Sequence, residues 1–205
     1  MEAKEEEKSY ETIILDCAEK SFAEKGFANS KLMSIAEMAN VNHALIHYYF
    51  RTKDHLYENV VQRLFQKWEV KIKTFEWEGE EPKQVVGEYI EKYFYFHIES
   101  DNYQKIRMWD RIENKNLFPK YIEKYWKEDL DNKIRKIEEW QKQGLLRKEI
   151  NAEFLMHSIW SLVNYFYPFG EKELQKMFGN EEPLEKNYEN IIGQIRDLVE
   201  TSIFL

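Results

Sequence analysis

Cysteine is almost missing from this chain: Cys17 is the single one in 205 residues. A lone thiol closes no internal disulfide, so burial and hydrogen bonding have to hold the fold. On an apolar helical face Cys17 reads as a small core residue rather than a reactive thiol. Glycine (7) and proline (4) are scarce too, which favours long helices over strands joined by turns. No hydrophobic run is long enough to span a bilayer. The longest uncharged stretch, residues 154–170, is interrupted by His157, Ser158, Ser161 and Asn164 and predicts a buried helix, with no membrane partner. The start, MEAKEEEK, lacks the basic and apolar regions of a signal peptide and reads as a solvated, frayed tail; the chain is expected in the cytoplasm.

Catalytic signatures are missing as well. There is no phosphate-cradling glycine loop, no Gly-x-Ser-x-Gly elbow and no Cys-x-x-Cys pair. His43 and His47 have the i, i+4 spacing of a metal-binding pair, but Ala44 stands where a zinc peptidase has glutamate, and no third ligand is evident. No enzyme activity, metal or cofactor is expected. Asp110 and Glu113 read as the solvated face of a charged helix. An excess of basic charge is also lacking: 30 Lys+Arg against 38 Asp+Glu leave a net charge of −8. That argues against a nucleic-acid partner, because affinity for DNA comes largely from cations neutralising phosphates. The distribution softens the objection, since residues 9–55 hold 5 Lys+Arg and 6 Asp+Glu. A nearly neutral module still binds DNA if its few cations and its helix starts face the backbone.

What is present is helical periodicity throughout. A first helix is predicted after Ser9, with Ile13, Ile14, Cys17, Ala18 and Phe22 on one face and Gly26 ending it in a left-handed cap. From Ser30 to Leu56 the spacing of Leu32, Ile35 and Ala36, then of Val41, Leu45, Ile46 and Tyr49, predicts two short helices. Ser30 is expected to cap the first and Asn42 the second. Asn40 lies between them, where a sharp reversal calls for a left-handed residue. Thr52 is placed to cap a further helix from Lys53. This is a helix-turn-helix, whose second helix, residues 42–48, enters the major groove.

The run GFANSKLMSIAEMANVNHALIHYYFRTKDHL resembles the DNA-binding signature of TetR-type transcriptional repressors. The likeness lies in the glycine–aromatic end of the first helix, the Ile-Ala pair, the turn, the aromatic recognition helix and the Lys-x-x-Leu exit. The sequence departs from the pattern at Asn40, at His43, Ala44 and Leu45, and at His47. The resemblance implies an all-α protein: a three-helix DNA-binding domain over residues 1–52, then a larger helical bundle over 53–205 for ligand binding and dimerisation. The implied partners are a near-palindromic double-stranded operator, a small aromatic or apolar effector, and a second copy of the chain. From the residues themselves, His43 and His47 are candidates for base edges, while Ser30, Tyr48, Tyr49 and Lys53 are candidates for phosphates. Asn42 is either a DNA contact or only a cap.

Beyond Lys53, helices are predicted to about Glu76, then over 83–100, 103–114, 119–143, 151–167, 171–178 and 184–204, with WEGEEP as a loop. This part is rich in rings that either fill a core or line a cavity. Tyr93, Phe96, His97, Trp109, Trp126, Trp160 and Asn164 are the candidates for ligand binding, with His157 as a further polar interruption. Ile191, Ile195, Leu198 and Val199 make the last helix apolar enough to predict a dimer interface there, paired with the 154–167 helix. The competing reading, supported by the acidic charge and a recognition helix without Lys or Arg, is a small-molecule or protein-binding module that has lost its operator.

Overall fold

The computed structural model describes residues 9–73, 77 and 81–204. The acidic start, the end of the predicted 53–76 helix and residues 78–80 of the WEGEEP loop lie outside these residues. The chain is all-α. Its helices are α1 (Tyr10–Asn29), α2 (Leu32–Met38), α3 (His43–Phe50), α4 (Lys53–Trp68), α5 (Pro82–Glu99), α6 (Asp101–Ile112), α7 (Leu117–Tyr125), α8 (Lys127–Lys142), α9 (Ala152–Phe166), α10 (Glu171–Phe178) and α11 (Leu184–Ile203), with a π-helical turn, Glu69–Lys73, after α4. The expected 119–143 helix is two helices, α7 and α8, interrupted at Trp126. No glycine or proline marks that break in the sequence.

Contacts group the chain into two units. One comprises residues up to Lys67 together with Asp101–Lys124; the other comprises Trp68–Ser100 and the chain from Tyr125. Helix α6 therefore packs with the N-terminal helices, which no periodicity in its own sequence announces.

In the first unit, Ser9 caps α1 by accepting the Thr12 N–H at 3.3 Å. Ile14, Ala18 and Phe22 line the buried face. Gly26 has a positive φ of 75°, as expected, yet helical backbone resumes beyond it to Asn29, so the residue kinks α1 rather than ending it. The kink has a second requirement. A Cβ on Gly26 would lie 2.7 Å from Glu113 Oε1 and 2.8 Å from the Trp109 ring.

Glu113 is not on a solvated face: its carboxylate accepts the Phe27 N–H at 2.8 Å and the Ala28 N–H at 3.0 Å. Asp110 is buried and accepts the Leu117 and Phe118 N–H groups, thereby capping α7 from α6. Both carboxylates looked solvated because neighbours distant in sequence cover them. Glu19, also buried, receives Arg63 at 2.6 Å, Lys67 at 2.9 Å and Asn102 at 3.2 Å. Cys17 is half-buried, and burial first, then Asp16, pushes its thiol pKa up, so it is a poor nucleophile.

In the second unit α5 packs against α9 and α11, α8 against α9, and α10 against α11. Buried faces of Val86, Tyr89, Ile90, Tyr93 and Phe94 on α5, of Met156, Ile159 and Val163 on α9, and of Ile191, Ile192, Ile195, Val199 and Ile203 on α11 supply the core. This corrects the expected dimer contacts. Ile191, Ile195 and Val199 are 2%, 3% and 4% exposed within their own protomer, whereas Leu198 is 56% exposed. The apolar stripe of α11 was correctly seen, but α5 and α9 already cover it.

Candidate DNA-binding and effector sites

Helices α2 and α3 are oriented by their buried faces, Ile35 and Ala36 on one and Ile46 and Phe50 on the other. Asn40 takes the left-handed conformation, with φ 50°. The Asn42 side chain accepts the Ala44 N–H at 2.8 Å and caps α3, and Thr52 Oγ1 accepts the His55 N–H at 3.1 Å at the start of α4. Ser30 has a different place from the expected one. Lys31 precedes α2 as its cap residue, and Ser30 is wholly buried, donating to the Gly26 carbonyl at 2.7 Å and accepting from Ser21 at 2.9 Å. Its hydroxyl is inside the unit and faces no phosphate.

The outward face of α3 presents Ala44, His47 and Tyr48, the last 78% exposed. His43 is half-buried, with its ring edge-on to His47 at 4.6 Å. His47 Nδ1 lies 2.9 Å from the Arg51 carbonyl. A carbonyl only accepts, so Nδ1 carries the hydrogen and Nε2 presents a lone pair outward while the ring is neutral. Tyr49 is half-buried between Tyr48 and Phe50. The Lys53 ammonium is engaged inside the unit, donating to the Ala28 carbonyl at 3.2 Å and lying 4.4 Å over the Phe27 ring. Burial lowers its pKa, against the pull of Glu113.

Two cations escaped sequence reasoning. Lys31 and Arg51 flank the helix pair, both are exposed, and neither has an ion-pair partner among the described residues. Position 51 could have been noticed, since 32–50 contain no Lys or Arg at all.

In the second unit the structure joins most of the ligand candidates into one ring cluster. Tyr93 meets His97 at 4.4 Å and Trp160 at 6.2 Å; Trp160 meets Trp126 at 5.7 Å and His157 at 5.2 Å. Trp160 Nε1 donates to the Tyr89 hydroxyl at 2.8 Å, and Tyr89 contacts Trp77, which stacks on Trp140. His97 is fully buried among Tyr93, Phe96 and Tyr167. Phe96 also borders a surface groove of about 440 Å³ with Lys71, Glu88, Glu91, Lys92, Tyr95 and Glu99. Asn164 is half-buried on α9. Trp109 is the exception. It belongs to the first unit, where its indole N–H donates to the Ala23 carbonyl at 3.2 Å and its ring packs at Gly26. A ring on an amphipathic helix looks the same in sequence whichever unit covers it.

A buried charge pair lies within this cluster. Lys133 and Asp129, one turn apart on α8, are 2% and 7% exposed and bonded to each other. The Lys133 ammonium also lies 5.3 Å from the Tyr89 ring centre and 6.0 Å from that of Trp77. Burial raises the Asp129 pKa and lowers that of Lys133, each shift opposed by the partner's charge. No group of three metal-ligating side chains occurs among the described residues, and no described helix is long and apolar enough to cross a membrane.

Residues 14–60 match the model of bacterial regulatory proteins of the tetR family, and residues 61–205 match that of the YcdC-like protein C-terminal region. The chain belongs to the TetR family. It is a DNA-binding, ligand-responsive transcriptional regulator of that family. Among curated TetR-family relatives it is 28% identical over 158 residues to the HTH-type transcriptional regulator RutR of Escherichia coli strain K12, covering 76% of this chain and 73% of RutR. Its fold is similar to that of the ketosteroid transcriptional regulator KstR2 of Mycobacterium tuberculosis, with a TM-score of 0.71 at 16% identity over 98% of this chain and 97% of that one. It is also similar in fold to AibR, solved with isovaleryl coenzyme A and operator DNA, with a TM-score of 0.69 at 13% identity over 91% and 97%.

Proposed function

We propose that this TetR-family protein is a homodimeric repressor of the cytoplasm, released from a near-palindromic operator by an apolar or aromatic effector. The functional division is placed after residue 52, with DNA binding before it and effector binding and dimerisation beyond it. The observation that carries the reading is the outward face of α3, where His47 and Tyr48 stand clear of the core and Arg51 follows at the helix end. Such a face enters a major groove with its side chains at base edges, while Lys31, Arg51 and the start of α4 meet the phosphates. His43, Tyr49 and Lys53 then support the readers, and Asn42 shapes the start of the helix.

Two such faces have to lie about 34–36 Å apart to meet half-sites one turn apart. The partner copy is proposed to cover the apolar outward face of α9 and α11, where Phe154, Tyr165 and Leu198 are 70%, 58% and 56% exposed. An effector in the ring cluster of Tyr93, His97, Trp126 and Trp160, with Asn164 as a further polar contact, loosens the operator by no more than its differential affinity for the two conformations.

A gel-shift titration at low salt, on DNA upstream of the protein's own gene, tests the reading. Tyr48→Ala is expected to raise the operator Kd at least tenfold while leaving the fold intact by circular dichroism. An unchanged Kd overturns the assignment of α3. Because α3 carries no Lys or Arg, the competing reading is a helical binding module without an operator, and complete failure to shift any upstream DNA at low salt favours it.

A further inference from the structure

The buried pair on α8 is a costly construction. Two charges have been taken out of water, and they are held by each other rather than by a network. Among the described residues Asp129 is the one hydrogen-bond acceptor that Lys133 reaches, which leaves two of the three ammonium N–H groups facing rings. A third donor lies nearby. Trp77 is 7% exposed, its indole N–H has no acceptor among the described residues, and its ring centre is 6.0 Å from the Lys133 ammonium. Asp129 accepts from Lys133 and the Tyr89 hydroxyl accepts from Trp160, and neither is bonded to the Trp77 N–H.

Buried donors without acceptors are rare in native proteins because each forfeits the hydrogen bonds it made with water. A replacement of the pair by apolar residues of similar volume would remove the cost, so stability does not explain its presence. The surroundings are the stacked faces of Trp77 and Trp140 and the ring of Tyr89. Apolar walls with a few convergent polar groups of one kind are what a small-molecule site requires. Here that kind is donors.

We propose that the ring cluster around Lys133 is the effector site of the second unit, and that it takes a flat or chain-like apolar molecule ending in a carboxylate or carbonyl. The oxygen atoms of that end group accept from the Lys133 ammonium and the Trp77 indole N–H. The apolar remainder lies against Trp140 and Tyr89. A carboxylate binds more tightly than a neutral carbonyl because its hydrogen bonds are charge-assisted, and Asp129 is left to orient the ammonium. A cationic molecule is disfavoured, since the Lys133 charge already occupies the faces it would need. The proposal rests on the second unit being the effector domain.

Calorimetric titration of the full chain with phenylacetate, phenylacetamide and phenethylamine, and with octanoate, octanamide and octylamine, tests it. In each set the acid is expected to bind most tightly, the amide less so and the amine least. Lys133→Met should weaken the acids at least tenfold, and Trp77→Phe, which deletes the N–H and keeps a ring, severalfold; circular dichroism and operator binding check that each variant is folded. An amine binding more tightly than its acid would overturn the proposal, as would acid affinities equal in wild type and Lys133→Met, or no binding of either acid. Gel shifts with the same compounds separate this from the parent reading. Acids that bind through Lys133 without releasing the operator leave the site standing and sink effector control. Release that persists unchanged in Lys133→Met does the reverse.

Discussion

The two units treat buried charge in opposite ways. In the first, buried Glu19 is met by Arg63, Lys67 and Asn102, buried Asp110 by two backbone amides, and half-buried Glu113 by two more. In the second, Lys133 and Asp129 answer each other from adjacent turns of one helix, with the rings of Tyr89 and Trp77 near the ammonium. Satisfied carboxylates tie helices that are distant in sequence and make a rigid frame, which suits the presentation of α3 to a fixed groove. A pair with donors to spare marks a place where something else is to be bound. The carboxylates of the first unit complete a structure, and the pair in the second anticipates a ligand.

That contrast can be broken first at the packing of α11. Ile195→Glu puts an unpaired charge among buried side chains and is expected to cost on the order of 3–5 kcal/mol, as uncompensated buried charges do. Leu198→Glu, on the exposed side of the same helix, should leave the melting temperature nearly unchanged and shift the protein towards monomer in sedimentation. Equal melting temperatures for the two variants would show that the inner and outer faces of α11 have been misassigned.

A smaller effect is expected at the kink of α1. Gly26→Ala meets both a positive φ and the close approach of Glu113 and Trp109, so a loss of about 2–3 kcal/mol should appear in urea unfolding. A loss below about 0.5 kcal/mol would mean that α6 yields easily and is no part of a rigid frame.

The smallest effect concerns pH. Burial alone would raise the Glu19 pKa, but the Lys67 and Arg63 hydrogen bonds outweigh it and hold the carboxyl below its ordinary 4.5. The folded chain therefore binds this proton less tightly than the unfolded chain does. The contribution is present above about pH 4.5 and is lost as pH falls below it. Between pH 6 and 3.5 the melting temperature of wild type should fall more than that of Glu19→Gln. Parallel curves would remove Glu19 from the frame.

Much of this was legible where a local rule decides the outcome. Asn42 and Thr52 cap the helices they were expected to cap, the first helix starts after Ser9, and Asn40 has its positive φ, because caps and turns depend on neighbours within a few residues. The ring cluster was foreseen as a collection but not as an arrangement. Periodicity says that one face of a helix is covered, and it is silent about what covers it. Hence Trp109 was grouped with rings of another unit, the α11 stripe was given to a second copy, and Ser30 was turned outward. Glu113 reads as solvated for the same reason, since its partners Phe27 and Ala28 are distant in sequence, and the burial of Asp110 and Lys133 comes from covering elements that periodicity does not name. Lys31 and Arg51 lie outside the predicted 42–48 recognition helix, where periodicity gives them no role.

Arg51 carries one further consequence. Its φ of 58° and ψ of −51° belong to a region where a side chain is strained and glycine is not. The carbonyl of this same residue receives the His47 N–H, so the unusual backbone also sets which nitrogen of that imidazole faces outward. A change to glycine relieves the strain, of the order of 1 kcal/mol, and deletes an exposed cation in the same step. Random drift towards a more stable fold and retention of the operator thus pull position 51 in opposite directions. A lineage that still needs its operator has reason to keep arginine there, and one that has abandoned it has reason to let it go.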